Sequence, residues 1–133
     1  MDYNFVFSMD YGIGLILNET DGKYKIKYKN KIESNQDQFS FQFIDEKLAS
    51  NLLQKKYESF FKYDYFNRGV EYANFGNVKN FYLVGNTIVG KVQGNNSKNY
   101  TQNITYDRGH FVSACSCPVE KNCKHVIAIL VVI

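Results

Sequence analysis

A chain of 133 residues, 44% hydrophobic and 22% charged, has the composition of a folded protein with one domain or two very small ones. Its net charge of +3 is weaker than that of most proteins that grip duplex DNA, and it is uneven: residues 1–61 hold 8 Lys+Arg against 9 Asp+Glu, and residues 62–133 hold 8 against 4. No apolar run approaches the roughly 20 residues of a membrane-spanning helix, and Asp2 and Asp10 stand where a secretory leader would be basic. The expectation is a cytoplasmic protein with no membrane partner, in a compartment that keeps thiols reduced.

In chain order, Phe5–Met9 and Ile13–Asn18 predict two strands, with Glu19-Thr20-Asp21-Gly22 as a turn. Gly12-Ile-Gly14 lacks the third glycine of a phosphate loop and predicts only a bend between those strands. Lys23, Lys25, Lys27 and Lys29 alternate with Tyr24, Ile26 and Tyr28, the pattern of a half-buried strand with a solvated lysine face. Residues 30–37 are polar and predict a loop. Phe39, Phe41 and Phe43 alternate with Ser40 and Gln42 and predict another strand.

Asp45 is a helix cap, and the spacing of Leu48, Leu52, Leu53, Tyr57, Phe60 and Phe61 predicts a helix to about Lys62. A second helix is expected from Asp64 to a stop at Gly76. Four strands follow, Val78–Val84, Thr87–Gln93, Tyr100–Tyr106 and Phe111–Cys117, with Gly85-Asn86 as a tight hairpin signal. The chain closes on an apolar helix, roughly Cys123–Ile133. No linker rich in Gly, Ser or Pro divides the sequence, so its two parts are expected to pack together.

The three cysteines all fall between Cys115 and Cys123, and an odd count in a reducing compartment points away from a disulfide framework. Their spacing is C-x-C-x5-C-x-H. On a strand, residues i and i+2 share a face, so Cys115 and Cys117 offer two sulfurs side by side. Pro118 ends the strand because it cannot donate to a ladder. A short loop then brings Cys123 and His125 in at the start of a helix. Three thiolates and an imidazole suit zinc, although thiolate-rich sites also accept other soft ions. Four protein ligands leave no open position, so the metal is expected to be structural. Lys121 and Lys124 offset the net single negative charge of such a centre.

Cys115-Ser-Cys117-Pro with Cys123-Lys-His125, followed at once by an apolar helix, resembles the SWIM zinc finger. The stretch Phe66-Asn-Arg-Gly69-Val-Glu-Tyr72, then Gly76-Asn-Val78, Val89-Gly90-Lys91-Val92-Gln93-Gly94 and Tyr100, resembles the β-rich lead-in to bacterial SWIM fingers. The resemblance covers residues 62–133; residues 1–61 resemble no family. The five residues between Cys117 and Cys123 stand at the short end of the family pattern. The resemblance implies zinc bound by Cys115, Cys117, Cys123 and His125, and a place in the N-terminal region of a Swi/Snf-family helicase, in contact with DNA or a protein partner.

The expected fold is therefore α+β: antiparallel and β-rich, with two central helices and a zinc-stapled strand-loop-helix at the C-terminus. Residues 1–61 form a β-rich region with a following helix, and 62–133 the SWIM-like domain. Lys91, Arg108, Lys121 and Lys124 are the expected nucleic-acid contacts if they gather on one face. There is no G-x-x-x-x-G-K-[ST] phosphate loop, and no Ser/His/Asp or paired-carboxylate set can be assembled with only His110 and His125 present, so no enzyme is expected. His110 is expected at the surface, and Tyr63, Tyr65 and Phe66 in packing around the second helix. The alternative function is a protein-interaction module. Val126–Ile133 has no polar face, so a partner, or the rest of a longer chain, is expected to cover it.

Overall fold

The computed structural model describes residues 4–133. Strands β1 (Phe5–Ser8), β2 (Gly12–Thr20), β3 (Lys23–Tyr28), β4 (Ile32–Gln36) and β5 (Gln42–Ile44) make a five-stranded sheet in the order β4-β3-β2-β1-β5. Strands β6 (Val78–Val84), β7 (Thr87–Gln93), β8 (Asn99–Asp107) and β9 (His110–Cys115) make a four-stranded meander. Every pairing within the two sheets is antiparallel. Helices α1 (Glu46–Leu53) and α2 (Tyr63–Asn74) lie between the sheets in sequence, and α3 (Lys124–Val132) ends the chain. The α+β class, antiparallel sheets and terminal strand-loop-helix are those expected.

Local chemistry explains most boundaries. Asp45 accepts a hydrogen bond from the Lys47 backbone N–H and caps α1. At the end of α2, Gly76 takes a φ of +75°. Its N–H reaches the Ala73 carbonyl, and the Asn77 N–H reaches that of Tyr72. These are the two bonds of a Schellman stop. Gly85-Asn86 joins Val84 to Thr87, and Arg108-Gly109, both with positive φ, joins Asp107 to His110.

The main core draws on both parts of the chain. Phe7, Ile44, Leu48 and Leu52 pack with Leu83, Ile88, Ile104, Ile129 and the three cysteines. A smaller cluster of Val6, Ile26, Tyr28 and Phe41 occupies the other side of β1. Val6 and Phe7 point to opposite faces of that strand, so β1 is buried on both. The Asp45 N–H donates to the Gly85 carbonyl at 2.7 Å, and the Gly85 N–H to that of Phe43 at 2.8 Å, tying the end of β5 to the β6–β7 turn.

Six expectations need correction. Tyr63 is 78% exposed and so does not pack around α2. The last strand ends at Cys115, so Cys117 lies in the bend beyond it and not on the strand face. The polar segment 30–37 is not all loop: Ile32–Gln36 forms β4, which reads as coil because its partner β3, and not its own alternation, holds it in the sheet. The first helix stops at Leu53, Lys55 enters the left-handed region at φ +54°, and Lys56–Phe60 continues as a short 3-10 helix. The Phe39–Phe43 alternation is a strand only from Gln42, because Asp37 ties the N–H of Phe39 and of Ser40 into a turn and leaves Phe39 90% exposed. Finally, the apolar terminal helix is covered by its own chain. It packs on α2 and all four strands of the second sheet, and each of Val126–Leu130 is at most 1% exposed. Of the docking surface expected there, Val126–Leu130 is used up internally, and Val132 stays 37% exposed.

Candidate metal centre

Cys115 ends β9, and its strand is held in register by β8, with Gln102 opposite Cys115. The backbone of Ser116 continues the pairing through its N–H to the Thr101 carbonyl, and its hydroxyl accepts from the Thr101 N–H. The loop then folds back on itself. The Cys115 N–H donates to the Glu120 carbonyl at 2.6 Å, and the Glu120 N–H to that of Cys117 at 3.1 Å. Glu120 and Asn122 take positive φ, of +74° and +50°. The Asn122 N–H donates to the Ser113 hydroxyl at 2.8 Å, fastening the end of the loop to β9. Cys123 is thereby set as the extended residue that opens α3, with His125 in its first turn.

The donor atoms of Cys115, Cys117, Cys123 and His125 all lie within 4.8 Å of one another, and all four residues are buried. The Nδ1 of His125 is 3.6 Å from the Cys123 sulfur and 3.8 Å from that of Cys115. Four such residues can hold a metal ion, as the spacing predicts. None is in a disulfide. The Cys123 thiol beside it holds the Cys115 sulfur well below the ordinary thiol range. Bonds from His125, Gln102 and the Cys117 backbone act in the same direction, against burial. The same contact, together with burial, pushes Cys123 upward.

Two supporting groups were not expected from sequence. Gln102 is fully buried, and its amide donates to the Cys115 sulfur at 3.3 Å and to the Tyr100 carbonyl at 2.9 Å. Its signal is a polar side chain on the inward face of a strand, in step with buried Ile104. The His125 ring lies between Tyr100 and Tyr72, with centroids at 4.9 and 5.4 Å. These rings fix the imidazole by packing.

The four expected nucleic-acid contacts do not form one patch. Lys124 begins α3 and sets its ammonium 4.9 Å from the centroid of the Tyr72 ring, while Lys121 is exposed in the ligand loop. Lys91 is exposed on β7, where its neighbours Gly90 and Val92 face α3, so it stands on the opposite side of the sheet. Arg108 lies in the β8–β9 turn, five strand residues from Cys115, about 17 Å at ~3.4 Å per residue. His110 is exposed, as expected, with its ring near Phe60. Gly12 and Gly14 lie in β2, and a side chain at Gly14 would strike Ile26 and Tyr28, so they cradle no phosphate. Elsewhere, Phe7, Tyr11, Phe39, Phe41 and Tyr82 help line a groove of about 680 Å³ that shares no residue with the metal centre.

No family model matches this chain, and no curated protein and no solved structure does either.

Proposed function

We propose that this chain is a zinc-stapled, SWIM-type module that contacts nucleic acid on behalf of a helicase-like protein and performs no catalysis itself. The observation that carries the reading is the buried Cys3His cluster. Zinc bonds of about 2.3 Å to sulfur and about 2.0 Å to nitrogen, set at tetrahedral angles, put S and N about 3.5 Å apart. The separations of the His125 Nδ1 from the Cys123 and Cys115 sulfurs, 3.6 and 3.8 Å, are close to that, and all four donor atoms lie within 4.8 Å of one another. Zinc so bound cross-links β9 to α3 and leaves no coordination position for a substrate. The excess of basic over acidic residues in 62–133, with Lys121 and Lys124 beside the centre, favours a polyanion as the partner.

The test has two arms. Elemental analysis of the purified protein is expected to give one zinc per chain. Electrophoretic shift with single- and double-stranded DNA is expected to show binding at low salt that weakens steeply as salt rises. A folded protein without metal defeats the zinc reading, and no shift at low salt defeats the nucleic-acid reading. A protein partner docked on Val126–Leu130 has no support, because those residues are already buried.

A further inference from the structure

The segment that joins α1 to α2 sets lysines among rings: Lys55, Lys56 and Lys62 stand with Tyr57, Phe60, Phe61 and Tyr63. Tyr57 and Phe61 belong to the main core or pack against it. Phe60 and Tyr63 stay 40% and 78% exposed. Phe60 makes T-shaped contacts with Phe111 and His110, at 5.9 and 6.1 Å between centroids, and shows the rest of its ring to solvent.

Two clefts share Phe60 as a wall. One, of about 630 Å³, is also lined by Lys55, Lys56 and Glu58. The other, of about 340 Å³, is lined by Lys62, Tyr65, Lys121 and Asn122. No candidate metal ligand lines either. The four lysines are exposed, and none is in an ion pair among the described residues. Lys121 already stands beside the negative charge of the metal centre, so the positive excess rests on Lys55, Lys56 and Lys62 against Glu58. The other candidate surfaces lack one half of this chemistry. The groove of about 680 Å³ has rings but no cation, and Asp10 lines it. Lys27 and Lys29 of the β3 lysine row line a cleft whose rings, Phe5 and Tyr28, are half-buried and buried.

We propose that single-stranded nucleic acid runs along these two clefts, with unpaired bases stacked on Phe60 and Tyr63 and phosphates held by Lys55, Lys56 and Lys62. Exposed rings take unpaired bases with little regard to sequence, and cations track the backbone between them. A duplex keeps its bases stacked on one another and leaves these rings unused. The inference rests on the nucleic-acid reading above and names the strand type and the surface. The metal acts here only through the loop between Cys117 and Cys123, whose Val119, Lys121 and Asn122 wall the second cleft.

The experiment uses the zinc-loaded full chain and fluorescence anisotropy with labelled oligothymidylate, oligouridylate and a DNA duplex of equal length. The expected result is saturable binding of a single strand, tighter than that of the duplex. The two homopolymers separate DNA from RNA as the source, and binding of either supports the site. Tyr63→Ala, at an exposed position, and Phe60→Leu, which keeps an apolar contact with Phe111, are each expected to weaken single-strand binding about 10-fold. Lys56→Gln and Lys62→Gln are each expected to make the logarithmic salt dependence shallower by about 0.7. Lys25→Gln, on the solvated face of β3, removes the same charge elsewhere and is expected to change neither quantity. Unchanged affinity in either ring variant, or a salt dependence moved as much by Lys25→Gln as by Lys62→Gln, overturns the site and leaves the nucleic-acid reading standing. A duplex bound more tightly than both single strands does the same. No binding of any strand at low salt defeats the reading and the site together.

Discussion

Gly69 on α2 lies so close to Ile127 on α3 that a single methyl group at Gly69 would run into the Cβ and Cγ2 of Ile127 and come within 3.0 Å of the Lys124 carbonyl. The two helices therefore meet nearly backbone to backbone, directly beside the turn that carries His125. Neither Ile127 atom is the free end of a flexible chain, so neither can swing away. Gly69→Ala is expected to destabilise the protein by about 1–3 kcal/mol through overpacking, although alanine is the better helix former by about 1 kcal/mol. Gly90→Ala is the control. Its methyl meets chiefly the terminal Cδ1 of Ile129, which can rotate, so a smaller loss is expected. Urea midpoints of the two variants check the order.

Removing the metal should unfold more than the ligand loop. Cys115, Cys117 and Cys123 belong to the same buried cluster as Leu83, Ile104 and Ile129. Structural zinc contributes about 10–16 kcal/mol in small zinc-finger peptides, comparable to the whole stability of a typical domain at about 5–15 kcal/mol. Cys123→Ser is expected to lose bound metal and cooperative folding together, and a strong chelator should do the same to the unmodified chain. Far-UV circular dichroism alongside elemental analysis tests this; a metal-free variant with a native melting curve would sink it.

Gln102 predicts a milder effect. Its amide N–H stabilises the Cys115 sulfur from a fully buried position. Groups that hydrogen-bond to metal ligands typically cost about 10–100-fold in affinity when lost. Gln102→Leu keeps nearly the same volume and should weaken metal retention by about that range without abolishing the fold. Competition with a chromophoric chelator measures it.

Phe39 and Phe41 occupy equivalent positions in the sequence pattern and opposite ones in the structure. Phe41 is buried with Val6, Ile26 and Tyr28, and Phe39 is 90% exposed. Phe41→Ala is expected to cost about 3–5 kcal/mol, and Phe39→Ala to stay within about 0.5 kcal/mol. Thermal denaturation of the pair separates them.

The Lys31–Glu33 pair, 2.6 Å apart on the surface, gives a pH dependence. The hydrogen bond from Lys31 lowers the Glu33 carboxyl below its usual range and raises Lys31 above its own. The carboxylate contribution is present above the unfolded carboxyl pKa and is lost as pH falls through the lowered folded value. The lysine contribution is present below the unfolded lysine pKa and is lost as pH rises through the raised folded value. Lys31→Met should return Glu33 to the ordinary range in an NMR titration. Added salt should narrow the difference, because the pair lies at the surface, with Lys31 exposed and Glu33 half-buried.

The sequence by itself marked the four residues of the candidate metal centre, because their spacing is local: two thiols two residues apart at the end of a strand, and a thiol and an imidazole at a helix start. It also determined the strands of the second sheet, whose hairpin turns are written in Gly85-Asn86 and Arg108-Gly109. Only the tertiary structure decided that Ile32–Gln36 is a strand, since a polar segment acquires its pairing from a neighbour. It decided that the apolar face of α3 is a core and not an interface, since burial depends on what the rest of the chain brings to it. It scattered Lys91 and Arg108 away from Lys121 and Lys124, because charge along a chain says nothing of which sheet face each residue takes. It also set the His125 ring between Tyr72 of α2 and Tyr100 of β8, with its Nε2 buried and without a hydrogen-bond partner among the described residues, a relation that no single stretch of sequence contains.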